Sequence, residues 1–217
     1  KTDIKNICLS GGYILNCVNN YYLKKHLPKD INLYIEPISN DAGTAIGAAK
    51  IVYYKETKSK QKFPQKNIYY GVQYSDKEIL SKLKKEKTKR ANVRDVARLL
   101  SQNKMVALFQ GRSEAGPRAL GNRSILFNPK NKNGKDIVNK IKRREFYRPF
   151  AGTVLHEYMD EYFEMEGLEE SPFMMYAVNV RKDKVEEIPA ITHVDNTCRV
   201  QTLKKEFNKN FYDIIKS

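Results

Sequence analysis

Residues 111–125, GRSEAGPRALGNRSI, set three arginines (Arg112, Arg118, Arg123) and three glycines (Gly111, Gly116, Gly121) around one proline and one glutamate. Arginine carries a planar fork of donors that matches phosphate or carboxylate, whereas a merely solvated basic surface would use lysine, which this chain has in plenty. Glycine lets backbone N–H groups come close to an anion. The apolar run 105–109 ahead of the loop predicts a buried strand, and 125–127 behind it predicts a return into the core. Strand, basic glycine loop and return together present fixed cations to an anion. The plainer reading is a tight turn whose arginines pair with local acids such as Glu114.

Three further clusters carry chemistry. Residues 142–150, KRREFYRPF, end a predicted helix on basic residues and fix the exit with Pro149. Lys142, Arg144 and Arg148 could surround the same anion, or could simply cap the negative end of the helix. Residues 193–201, HVDNTCRVQ, alternate so that a strand would send His193, Asp195, Thr197, Arg199 and Gln201 to one polar face, with Val194 and Val200 opposite. That face suits a site wall or a solvated edge strand; its spacing suits no zinc site. In the first part of the chain, Gly11 and Gly12 separate a strand from a helix, as an anion-binding turn or as a turn alone. Asp41 opens the next helix, either as its N-cap or as a carboxylate for a metal or phosphate site.

The elements that position these residues read as an α/β layer pattern. Residues 6–10 form a strand. A helix over 13–25 has Leu15, Val18, Tyr22 and Leu23 near one stripe. A strand covers 31–38, and a helix covers 41–54, where AGTAIGAA permits close packing. The lysine-rich stretch 55–67 reads as a linker, drawn at 58–66 between a first domain (1–57) and a second (67–217). Beyond it, helices are predicted over 76–87 (capped by Ser75), 93–100, 136–144, 158–163 and 207–215. Strands are predicted over 105–109, 152–155, 173–180 and 198–203.

Composition bounds the rest. At 217 residues and 41% hydrophobic, the chain is long enough for a core and is not globally disordered. A net charge of +15 suggests polyanionic partners, although a lysine-rich composition also reflects base bias in a genome. Three cysteines (Cys8, Cys17, Cys198), an odd number with no Cys-x-x-Cys pair, fit reduced cytosol. No apolar run approaches a membrane span and no signal peptide is visible, so a cytoplasmic protein without a membrane partner is expected. The first residue is Lys1 and a strand-like segment follows almost at once, which suggests a piece of a longer protein.

Taken in order, GRSEAGPRALGNRSI, KRREFYRPFAGTVL and ITHVDNTCRVQTL resemble the O-carbamoyltransferase family that includes the nodulation and antibiotic carbamoyltransferases. LSGGYILNCVNN and PISNDAGTAIGAA are similar to the end of that family's first domain, so the resemblance covers nearly the whole chain. It implies the tail of a Kae1-like domain, of the actin and Hsp70 type, followed by a YrdC-like twisted α/β domain. It implies that carbamoyl phosphate and ATP react to carbamoyl adenylate and pyrophosphate, and that the carbamoyl group then passes to a hydroxyl of a sugar or metabolite. By the same resemblance, Arg112, Arg118, Lys142, Arg144, Arg148 and His193 are catalytic. Arg123, Asp195, Thr197 and Arg199 hold nucleotide or carbamoyl groups, Gly11 and Gly12 touch nucleotide phosphate, and Asp41 matches the carboxylate of a divalent metal, iron or magnesium.

The sequence departs from the family in three places. The family's paired metal-binding histidines lie upstream of Lys1. An Asn-Thr-Ser-Phe-Asn segment expected after the second domain is absent. Ala115 stands where relatives carry an aromatic residue, which is expected to loosen the loop. A metal site of Asp41 alone would be open and weak, so the expectation for this segment by itself is poor ligand binding and no turnover. Two other functions fit the residues. One is an enzyme of threonylcarbamoyl modification of tRNA, although the order of the domains speaks against nucleic acid as a partner. The other is a non-catalytic module that binds phosphorylated ligands.

Overall fold

Two four-residue strands, β1 (Asn6–Leu9) and β2 (Asn32–Ile35), pair in parallel with Asn6 opposite Asn32 and Leu9 opposite Ile35. A computed structural model describes residues 3–61, 65–83 and 87–217. Parallel pairing demands a crossover. Here it is a short 3-10 turn, Gly12–Leu15, and helix α1 (Cys17–His26). The predicted helix over 13–25 therefore begins later, because the Asn16 side chain accepts the Asn19 N–H (3.1 Å) and caps α1. Its buried face also differs: Cys17, Asn20 and Tyr21 are inside, while Val18 and Tyr22 are exposed. The reason is tertiary. Asn20 Nδ2 donates to Ile14 O (2.7 Å) and Met175 O (2.9 Å), and the Tyr21 hydroxyl donates to Glu164 O (2.7 Å). Polar groups whose donors find carbonyl acceptors, as Asn20 Nδ2 and the Tyr21 hydroxyl do, can be buried where apolar ones were expected.

Helix α2 (Ala42–Thr57) runs past the predicted end at 54 and stops at Lys58 in the left-handed region. Asp41 makes no side-chain cap bond; its carbonyl accepts Thr44 N–H (3.0 Å) and Oγ1 (2.6 Å) instead. The close packing that the small residues permit is confined to the start of α2, where a Cβ on Gly43 would lie 2.0 Å from Ile38 O and Ile46 packs on a buried cluster; no residue of α2 is itself fully buried. The N-terminal part of the linker reading is thus helical, and its residues 62–64 lie outside the described residues. Helix α3 (Asp76–Lys82) has the predicted Ser75 cap, completed by Glu78 into a capping box. The expected extension to 87 passes through 84–86, also outside the described residues. Helix α4 (Val93–Ser101) has the same device, built from Asn92 and Asp95.

The second part holds two sheets. Strands β3 (Val106–Phe109) and β4 (Arg123–Leu126) form an antiparallel pair, with the arginine loop as their connection. The predicted return at 125–127 is thus a strand, and Ile125 on it is exposed. After helix α5 (Gly134–Ile141) come β5 (Ala151–Leu155), α6 (Met159–Tyr162), β6 (Phe163–Glu164), β7 (Ala177–Val180), β8 (Thr197–Leu203) and α7 (Lys209–Lys216). The four strands order as β5-β8-β7-β6, parallel between β5 and β8 and antiparallel elsewhere. The molecule is mixed α/β with small sheets. The predicted strand over 173–180 shortens to β7, and Phe163 starts β6 rather than ending a helix.

One core joins the two parts. Val178, Cys198 and Val200 on β7 and β8 are fully buried, and Ile14, Tyr21 and Ile35 of the first part pack in the same cluster. A second cluster under α7 contains Leu155, Leu203 and Phe211. Gly121 is pinned to this cluster. Its φ is +106°, and a Cβ there would lie 2.3 Å from Phe211 Cδ1. Gly121→Ala combines backbone strain with overpacking and is expected to cost roughly 2–4 kcal/mol. Chemical denaturation checks this, and a loss below about 0.5 kcal/mol would contradict the contact.

Candidate anion-binding site

The arginine loop is held by its own glutamate. Glu114 Oε1 accepts the N–H groups of Leu120 (2.6 Å), Asn122 (2.9 Å) and Arg123 (3.3 Å). Gly121 N–H donates to Ser124 Oγ (2.9 Å), and Ala115 N–H donates to Ile68 O (2.7 Å). These amides are engaged inside the loop, not bare as the glycine content suggested. Glu114 also binds backbone where the plainer reading had it pairing with arginines. Ala115 packs against Ile38, Ile68, Leu120 and Met174, so the turn is anchored at that position.

The three loop arginines diverge. Arg118 reaches back across the chain, donating from Nη2 to Leu15 O (3.0 Å) and touching Cys17 Sγ (3.5 Å). Arg123 donates to Gln110 O (2.6 Å), Asn122 O (2.9 Å) and Gly111 O (3.2 Å), and stacks 3.7 Å over the Phe109 ring. Its fork is committed to carbonyls, so it braces the hairpin. Arg112 is exposed. Neither Arg112 nor Arg123 lines the cavity that receives Arg118, which corrects the expectation that all three meet there.

That cavity, about 530 Å³, brings together Arg118, Lys142, Arg144, Arg148 and Arg199 from separate stretches of chain. Lys142 ends α5, Arg144 and Arg148 sit in the turn after it, and Arg199 projects from β8. Ser124, Phe150, Thr153 and Gln201 complete the wall, and no carboxylate is among the lining residues. Burial, then the nearby Arg118, holds Arg199 below the ordinary arginine value. Burial, then Arg144 and Arg199, lowers Lys142; burial, then Arg148, lowers Arg144. Three buried nitrogens here have no hydrogen-bond partner: Arg118 Nε, Arg144 Nη2 and Arg199 Nε. Glu145 pairs with Arg148 (2.7 Å) at the half-exposed rim. Half-buried guanidinium groups that repel one another, each with one buried N–H lacking an acceptor, are complementary to an oxyanion. A larger hollow of about 870 Å³ adjoins this one, sharing Ile125, Leu126, Ala151, Thr153 and Phe211 as walls.

The HVDNTCRVQ segment is only partly strand. Residues 193–196 turn, and β8 starts at Thr197, so the predicted single polar face from His193 to Gln201 breaks in two. Arg199 and Gln201 line the cavity; His193, Asp195 and Thr197 do not. Asp195 Oδ1 accepts Thr197 N–H (3.1 Å) and Oγ1 (2.8 Å), and burial opposes these bonds without cancelling them, leaving its carboxyl below the usual range. His193 Nδ1 lies 3.0 Å from Thr197 Oγ1, and Nε2 donates to Phe150 O (3.0 Å). A carbonyl can only accept, so Nε2 carries a proton. His193 therefore holds Phe150, whose ring lies 4.2 Å under the Arg144 guanidinium. Sequence reasoning missed Phe150 and Asn139; an asparagine among the apolar positions of an amphipathic helix was the available signal for the latter.

A separate hollow of about 460 Å³ brings Gly11, Gly12 and Asp41 together with Glu36, Thr44 and Lys50. Ser39 Oγ and Asn40 Oδ1 are buried there without partners. Glu36 is engaged by Ile38 N–H (3.1 Å) and the Tyr34 hydroxyl (3.0 Å). Among the described residues, no group of three or more His, Cys, Asp or Glu side chains could hold a metal ion. Asp41 by itself does not make a metal site. The three cysteines are free; Cys198, fully buried on β8, has its thiol pushed up to about 12 by burial. Among the described residues no helix is long and apolar enough to cross a membrane.

The lowered Lys142 predicts a chemical signature. At pH 9 it should acylate faster than surface lysines, because more of it is uncharged. Pyrophosphate in the cavity should stabilise the ammonium, raise its pKa and slow the labelling several-fold. Competitive acetylation read by mass spectrometry checks both steps, and equal labelling with and without pyrophosphate would contradict the geometry.

Comparison with known proteins places the chain. Residues 97–217 match the carbamoyltransferase C-terminus family, and residues 1–50 match the carbamoyltransferase N-terminus family. Nodulation protein NolNO of Sinorhizobium fredii is 37% identical over 225 residues, covering 99% of this chain and 33% of that protein. Nodulation protein NolO of Bradyrhizobium diazoefficiens is 35% identical over 224 residues, covering 99% of this chain and 40% of that protein. Nodulation protein U of Rhizobium fredii is 30% identical over 213 residues, covering 97% and 35%. The chain thus spans well under half the length of these curated relatives. With both family segments matched in order along one polypeptide, the chain belongs to the carbamoyltransferase family.

Proposed function

We propose that the cationic cavity is where a carbamoyl group is activated with ATP, as the first half of an O-carbamoyl transfer to a hydroxyl-bearing acceptor. The single observation that carries this reading is the convergence of Arg118, Lys142, Arg144, Arg148 and Arg199 on one hollow that no carboxylate lines. Carbamoyl phosphate, hydrolysed to carbamate with release of inorganic phosphate, and ATP would bring several negative charges into one place. Carbamate oxygen attacks the α-phosphorus, the bond to the β-phosphate oxygen breaks, and carbamoyl adenylate and pyrophosphate form. The acceptor oxygen then attacks the carbamoyl carbon, loses its proton, and AMP departs.

The chain's residues would act electrostatically and by positioning. Fixed guanidinium groups stabilise the charge that gathers on the departing pyrophosphate, without reorganising at the moment of reaction. Arg118 Nε, Arg144 Nη2 and Arg199 Nε are the unpartnered donors for it. Holding carbamate beside the phosphorus supplies the proximity effect, and the adjoining larger hollow offers room for the nucleoside. His193, Asp195 and Thr197 would act through Phe150 and the position of β8, away from the reacting atoms. Gly11, Gly12 and Asp41 would belong to a second centre where the acceptor is carbamoylated. Asp41 does not make up a metal site there alone. In this reading the two parts of the chain are the tail of a Kae1-like domain and a YrdC-like domain.

The test uses a protein of the relatives' length that carries this sequence. Arg118→Ala should lower carbamoyl-phosphate-dependent release of pyrophosphate from ATP by at least about 100-fold, the usual cost of one oxyanion donor. A wild-type rate in that variant would remove the role assigned to the cavity.

A further inference from the structure

Asn139 lies on α5, 1% exposed, with every polar atom of its side chain engaged. Its Oδ1 accepts Arg144 Nε–H (2.5 Å), and its Nδ2 donates to Phe146 O (3.1 Å) and Arg148 O (3.1 Å). These three bonds tie the last turn of α5 to the loop that carries Arg144 and Arg148. The Arg144 guanidinium, in a residue that lines the cavity, is clamped between Asn139 at Nε and the Phe150 ring beneath it, and its Nη2 is buried without a hydrogen-bond partner. Arg143, just before it, takes a left-handed backbone (φ 49°), so the chain reverses there and the clamp fixes the residues beyond the reversal. A free arginine side chain would turn its fork toward water or toward Glu145; a neutral amide holds it without cancelling its charge.

We propose that Asn139 is a positioning residue that aims the Arg144 guanidinium, and with it the Arg148 backbone, at the bound oxyanion. This rests on reading the cavity as an oxyanion site. An aspartate at the same place would keep the bond to Nε but neutralise the cation and lose both donors. An aliphatic residue would leave Nε and two carbonyls without their partner. Only an amide meets all three requirements at this depth.

The test is a double-mutant cycle with pyrophosphate as the probe, read by calorimetry on a protein of the relatives' length that carries this sequence. Asn139→Ala should weaken pyrophosphate binding about tenfold, and should add no further loss in an Arg144→Ala background. A residue with a merely structural role would cost the same in both backgrounds, and that result would overturn the proposal. A second measurement does not depend on any ligand. The Arg144 Nε–H resonance should exchange slowly with water in the unmodified chain, stay slow in Asn139→Asp and become fast in Asn139→Ala. An unchanged resonance in Asn139→Ala would overturn the proposal even if the unmodified chain bound no pyrophosphate, a result that would itself sink the oxyanion reading. If Asn139→Ala fails to fold, Asn139→Asp decides the matter: a fast Nε–H there overturns the assignment.

Discussion

Positive charge gathered in one hollow whose lining holds no carboxylate is the constraint on which the rest of the structure depends. Like charges brought together and desolvated repel, and the lowered values of Lys142, Arg144 and Arg199 record that cost. A fold tolerates such a cluster only if other interactions hold its members in place. Here the frame comes from Glu114 inside the loop, Asn139 behind Arg144 and the fully buried Cys198 and Val200 on either side of Arg199 in β8. Each exerts its hold without placing a carboxylate in the cavity. The charge is thereby left for a ligand to neutralise, which is what binding strength and transition-state stabilisation both require.

The same constraint explains why the first part of the chain packs so intimately on the second. Arg118 lies in the second part, yet its Nη2 is oriented by Leu15 O in the first. Asn20 and Tyr21 dock α1 onto the carbonyls of Met175 and Glu164. The cationic hollow and the Gly11–Gly12–Asp41 hollow are thus connected through shared packing. Under the proposed reaction, in which an activated carbamoyl group would pass from one centre to the other, this shared core would keep the two centres in register.

Much of this was legible in residue types and local codes. The strand–loop–strand frame around 111–125 followed from apolar runs, the Ser75 cap from a serine before a helical pattern, and Lys142, Arg144 and Arg148 from the basic helix end. What escaped depended on distant partners. Arg118 and Arg123 are the same residue type in the same loop, and only the carbonyls of Gln110, Gly111 and Asn122 turn one of them into a brace. The face of α1 was misjudged because Asn20 is buried by a carbonyl 155 residues away. Strict alternation failed at His193 because the chain turns at Asp195 and Asn196 before β8 begins, with Asn196 in the left-handed region (φ 60°), and that Asp-Asn pair was the available signal. Asp41 looked like a cap, but its helix starts with the backbone already helical and no use for the side chain.

The central claim is spatial, and a crystal structure of a protein of the relatives' length that carries this sequence, grown with pyrophosphate, tests it most directly. The account predicts the anion within hydrogen-bond distance of Arg118 Nε, Arg144 Nη2 and Arg199 Nε. An anion seated instead at the Gly11–Gly12 turn, or an empty hollow at saturating pyrophosphate, would contradict it.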